Sequence, residues 1–123
     1  MDEFMVASAD RKIRLWNVHA GEELLQLRNS NHEDVLSVAL IPKFKCAITG
    51  HEDGYITLWD VQTGRMLDRI RPFGGAVNHI AHTVLPGEES LSTVVLVCTS
   101  RDGHVKQFVF RYTAPTLSAR DSF

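Results

Sequence analysis

Short runs rich in β-branched and aromatic residues recur along the whole chain: Ile13 to Val18, Val35 to Ile41, Tyr55 to Val61, Val77 to Leu85, Val94 to Thr99 and Val105 to Tyr112. Such runs fit the pleated, half-buried surface of a sheet. Turn-forming residues separate them at Ala9 to Lys12, His19 to Glu22, Pro42 to Lys45, Asp53-Gly54, Gln62 to Arg65 and Asp102-Gly103. Lys12, Ile13, Arg14 and Leu15 alternate charged with apolar, as a strand with one solvated face does. No window carries the 3.6-residue period of an amphipathic helix. The pattern predicts an all-β chain of meandering strands joined by short hairpins.

Three stretches repeat one another without gaps: 5–18, 47–61 and 97–110. Each places an Asp six positions before an aromatic residue, in the pairs Asp10 and Trp16, Asp53 and Trp59, and Asp102 and Phe108. The three Asp residues lie 43 and 49 positions apart. Most of the extra length in the last unit falls around Gly87 to Thr93, a polar loop between two strands. A period of this size marks a repeat architecture, in which each unit buries its faces against its neighbours.

Composition narrows the reading further. Of 123 residues, 44% are hydrophobic and 23% charged, an ordinary globular mixture, and the formal net charge of -2 gives no broad cationic field for nucleic acid. The first residues, Met1 to Met5, do not form a secretory signal, and no apolar run is long enough to span a bilayer. A cytoplasmic or nuclear location is expected. Cys46 and Cys98 have no near Cys neighbour and read as buried reduced thiols.

The run from Asp53 through Gly54, Ile56, Leu58, Trp59, Asp60 and Val61 to Thr63-Gly64, at a period near 43 residues and with a His upstream, resembles the WD-repeat β-propeller family. The resemblance covers residues 4 to 112; the unit from Asp10 is good and the third is degenerate. It implies four-stranded blades, with strands a to d, in which a His before strand a, a Ser or Thr on b, the Asp after b and the Trp on c form a polar network. A buried carboxylate is costly unless hydrogen-bonded, which gives such a network its structural purpose. By position the central unit is complete, with His32, Thr49, Asp53 and Trp59. In the first, Asp10 and Trp16 remain but Val6 takes the Ser/Thr place. In the third, Cys98 replaces Ser/Thr, Phe108 replaces Trp and Gly74-Gly75 stand where the His is expected, so packing should hold that blade and backbone donors should hold Asp102.

The resemblance divides the chain into blade portions 4–29, 30–72 and 73–112, followed by a flexible tail, 113–123. The strands are b-c-d (4–9, 13–18, 23–28), a-b-c-d (35–41, 46–50, 55–61, 66–71) and a-b-c (77–85, 94–99, 104–112). The fold class is thus an all-β partial propeller of about two and a half blades, similar to the C-terminal part of a ring. Ten strands cannot close a ring, which needs about four blades of four strands. Open edges and apolar flanks would invite aggregation. Blades from a longer parent polypeptide or a separate chain are expected to cover them, with head-to-tail copies as a further option.

Catalytic motifs fail one after another. His32 and His51 both begin a His-Glu-Asp run, but Leu36 and Tyr55 stand where a zinc protease needs its second His. His79 and His82 are three apart on a predicted strand and so face opposite ways. Ser8, Ser37 and Ser100 lack a nucleophile elbow, Cys98 is mid-strand, and Gly74-Gly75 is too short to cradle phosphate. No catalytic residue, metal or cofactor is expected. In the resembling family the d–a and b–c loops share a rim that takes peptides or protein surfaces; here that rim carries Arg11, Asn31, Asp34, Glu52, Arg101 and His104, with the two Arg residues leading because a guanidinium makes planar, multidentate contacts. The expected function is a noncatalytic protein-interaction scaffold. The alternative is a propeller subunit of an RNA-processing or ribonucleoprotein assembly, touching phosphates through Arg11, Lys12, Arg14 and Lys45.

Overall fold

The structure, a computed structural model, describes residues 4–9, 12–17, 22–27, 35–85, 93–111 and 113–119. Among the described residues, eleven strands lie in three antiparallel sheets. The first holds β1 (Phe4–Ala9), β2 (Lys12–Asn17) and β3 (Glu22–Leu27) in that order. The second runs β4 (Val35–Ile41), β5 (Cys46–His51), β6 (Ile56–Asp60), β7 (Met66–Ile70). The third runs β8 (Val77–Leu85), β9 (Thr93–Ser100), β10 (Val105–Arg111), β11 (Ala114–Ala119). Every sheet is a simple meander in chain order.

The last strand corrects the sequence reading. Residues 114–119 pair with β10, through Phe108 opposite Ala119 and Arg111 opposite Ala114, so the third sheet has its fourth strand and the tail from 113 is not a flexible appendage over this stretch. Ala, Pro, Ser and Thr give β11 a weak strand pattern of its own. It is held by neighbours instead: Leu117 N donates to Asp68 Oδ2 on β7 at 2.6 Å, and Leu117 itself is buried. Pro115 is tolerated because β11 is an edge strand.

The repeat extends to irregularities of pairing. The register slips between Leu15 and Trp16 in the first sheet and between Leu58 and Trp59 in the second. It slips again between Val35 and Ser37 and between Val77 and His79, at matching points of β4 and β8. The b–c turns also match: Gly54 N bonds His51 O and Gly103 N bonds Ser100 O, with both glycines at a φ near 90°. Asp-Gly supplies that left-handed step after a tight turn.

The sheets pack face to face along their first strands, β1 beside β4 and β4 beside β8, with β7 beside β11 at the outer side. All six residues of β5 are buried, as a strand covered on both faces requires. One apolar core fills the seam between the second and third sheets. Ile48, Ile56 and Leu58 meet Val77, Leu96 and Phe108 there, each at most 3% exposed. Ser37 Oγ crosses the same seam to the carbonyl of Val77 at 3.1 Å.

Candidate functional site: the blade network and the b–c rim

Thr49, His51 and Trp59 lie on the face of the second sheet opposite that core. The Asp53-Gly54 turn fixes the β5–β6 register, which sets Thr49 opposite Thr57 and Ala47 opposite Trp59. Thr49 and His51, two apart on one strand, then share a face. Trp59 Nε1 donates to Thr49 Oγ1 at 2.9 Å, and Thr49 Oγ1 lies 2.8 Å from His51 Nε2. Thr57 Oγ1 approaches the same nitrogen at 3.1 Å. All four side chains are buried.

His51, which in the sequence begins only a run that fails as a metal motif, occupies the centre of this network. The signal was present in the alternation of Thr49 and His51 and in the register that an Asp-Gly hairpin imposes. Burial pushes its imidazole down from 6.5 to about 4, against a partial opposing pull from Asp53, so the ring is neutral at physiological pH. Its Nδ1 is buried without a hydrogen-bond partner. His32 lies outside the described residues.

Asp53, beside this cluster, bonds within its own turn and to β7. Its carboxylate accepts from Tyr55 N at 3.3 Å and lies 3.7 Å from Arg69, whose guanidinium stacks on the Tyr55 ring. In the third sheet, the positions matching Thr49, His51 and Trp59 are Cys98, Ser100 and Phe108. Cys98 and Phe108 belong to the apolar core. Asp102, expected to rest on backbone donors, is held chiefly by side chains: the Ser100 hydroxyl bonds its Oδ1 and His104 Nδ1 lies 2.9 Å away. The Ser100 hydroxyl and then His104 hold this carboxyl below its usual value. The carboxylate stands between serine and histidine, so the three do not form a hydrolytic triad, in which the histidine must contact the hydroxyl.

At the rim, Glu52, Arg101 and His104 are exposed on the two b–c turns. Arg11, Asn31, Asp34 and Asp10 lie outside the described residues, and Trp16 is placed by its backbone pairing with Met5. The loop 71–76 between these turns is pinned on both sides. Arg71 Nε donates to Asp53 O at 3.1 Å, Lys106 Nζ to Pro72 O at 2.6 Å, and Arg101 N to Ala76 O at 2.8 Å. The rim is therefore preorganised. Burial pushes the Cys46 and Cys98 thiols up to about 12, too high for a working nucleophile. Among the described residues no cluster of three His, Cys, Asp or Glu could hold a metal ion.

Meandering four-stranded sheets packed face to face along their first strands, with an indole clasped by a threonine one strand away, define a segment of a β-propeller. Residues 22–60 match the model of the WD domain, G-beta repeat, which covers β3 through β6. The chain thus carries a WD repeat and is similar to WD-repeat proteins. It is 33% identical over 85 residues to mouse WD repeat-containing protein 41, covering 63% of this chain and 18% of that protein. It is 32% identical over 85 residues to an Arabidopsis thaliana guanine nucleotide-binding protein subunit beta, covering 66% and 22%. The chain thus spans less than a quarter of these relatives. The crystal structure of the Cps50 (Swd1) β-propeller domain of Myceliophteria thermophila superposes with a TM-score of 0.70 at 14% identity, over 95% of this chain and 34% of that one.

Proposed function

We propose that the chain is a noncatalytic protein-interaction scaffold that contributes blades to a larger propeller. The observation that carries this reading is the outer face of the third sheet, part of which is exposed among the described residues. Strand alternation places Ala81, Thr83, Val97, Val105 and Val109 there, away from the core; Val95 on the same face is buried, whereas Ala81, Thr83 and Val105 are exposed, Val105 at 65%. An aliphatic sheet face of this kind calls for another blade. The WD-repeat relatives, four to seven times longer than the matched share of this chain, are consistent with a parent ring or a separate chain supplying it.

With the flank covered, Glu52, Arg101 and His104 remain as the rim that meets a protein or peptide, with Arg101 as the leading contact. Affinity capture of the tagged chain followed by mass spectrometry, with molar mass by light scattering, tests the reading. Partners that are retained by the parent chain and lost on Val105→Asp or Arg101→Ala support it. A well-folded lone monomer that retains no partner would refute it.

A further inference from the structure

The seam between the second and third sheets opens at the end opposite Glu52, Arg101 and His104 into a cleft of about 340 Å³, within the size range of ligand pockets. Its apolar lining comes from Phe44, Cys46, Leu67 and Phe110, and Pro115 of β11 adds to it. Lys45 and Asp60 line it as well, one cation and one anion. Asp60 Oδ1 is engaged by Gln62 N at 2.8 Å, which fixes the carboxylate.

Lys45 supplies a second, independent observation. It is the only non-glycine residue with positive φ among the described residues, at φ 52° and ψ 43°. Its backbone is held from both sides, N to Pro42 O at 3.1 Å and O from Val61 N at 3.0 Å. Glycine or asparagine would occupy this left-handed position at lower cost. Such an outlier justifies asking what its side chain does.

We propose that the cleft binds a peptide segment of a protein partner, which inserts one aliphatic or aromatic side chain against Leu67 and Phe110. Its flanking amides meet Lys45 and Asp60, the carbonyl accepting from the ammonium and the N–H donating to the carboxylate. A net-charged ligand would face one like charge at this site, whereas an amide offers both a donor and an acceptor. The apolar lining takes the side chain. This site is separate from the b–c rim and does not rest on it.

The test is a ¹H–¹⁵N titration of the full chain with N-acetyl-leucinamide, and with N-acetyl-asparaginamide for comparison. Perturbation confined to the amides around Lys45, Asp60, Leu67 and Phe110 is expected, saturating on the order of millimolar, with asparaginamide about tenfold weaker. Lys45→Gly should unfold no more readily than the parent yet bind about tenfold more weakly, a split that a merely structural lysine would not give. Leu67→Glu, at a position 40% exposed, should abolish binding with the fold intact. Absence of perturbation at the cleft, perturbation spread instead over the outer face of the third sheet, or affinity unchanged in both variants would overturn the proposal. Any of these leaves the scaffold reading standing.

Discussion

Acid should loosen the middle blade through His51. The ring is buried and neutral, with Nε2 between two threonine hydroxyls and Nδ1 unpartnered, and burial has moved its pKa from 6.5 down to about 4. Above pH 6.5 the ring is neutral in both folded and unfolded chains, and its contribution does not vary with pH. As pH falls from 6.5 towards 4 the unfolded chain binds a proton that the folded chain refuses, so stability is lost across that window and the loss levels off below it. At about 1.4 kcal/mol per pH unit the whole window is worth about 3 kcal/mol, of which about 2 kcal/mol is gone by pH 5. Urea unfolding followed by tryptophan fluorescence at pH 7, 6 and 5 measures this directly. His51→Gln keeps a polar side chain without the titration and should flatten the profile over the same range. An equal loss between pH 7 and 5 in parent and variant, or an NMR titration of His51 centred near 6.5, would refute the reasoning.

Other expectations follow from single contacts. Gly54→Ala would drive a Cβ into the Phe73 carbonyl at a φ of 91° and should cost about 2 kcal/mol or more in thermal unfolding, whereas Gly103→Ala, at a φ of 90° with open space around it, should cost about 1 kcal/mol. Thr49→Val strands the buried Trp59 N–H and should destabilise by about 1–3 kcal/mol in urea, with a change in Trp59 emission. Asp68→Ala removes the acceptor of Leu117 N and should raise hydrogen exchange over 114–119 selectively, at a cost of about 1.5–3 kcal/mol. Cys46 and Cys98, buried and with thiols pushed up to about 12, should resist iodoacetamide at pH 8 until denaturant is added; rapid labelling of the native chain, read by mass spectrometry, would contradict their burial.

Local chemistry determined much of this protein. Runs of β-branched and aromatic residues mark six of the strands and Asp53-Gly54 and Asp102-Gly103 mark two matching turns, because each depends only on neighbours within a few positions; the spacing of Asp10, Asp53 and Asp102 marks the repeat, and the family resemblance places four further strands. The partnership of Thr49 with Trp59 is implied by the family resemblance, and the β5–β6 hairpin register accounts for it. What tertiary structure decided is what depends on distant residues. β11 is a strand because β10 and Asp68, 49 positions from Leu117, give its backbone partners that its own sequence does not demand. His51 joins Thr49 and Trp59, and Asp53 contacts Arg69 and the Tyr55 N–H, because which polar groups converge in a buried space depends on the packing of whole sheets. The cleft at Lys45 and Asp60 likewise belongs to neither sheet alone and exists only where the two meet.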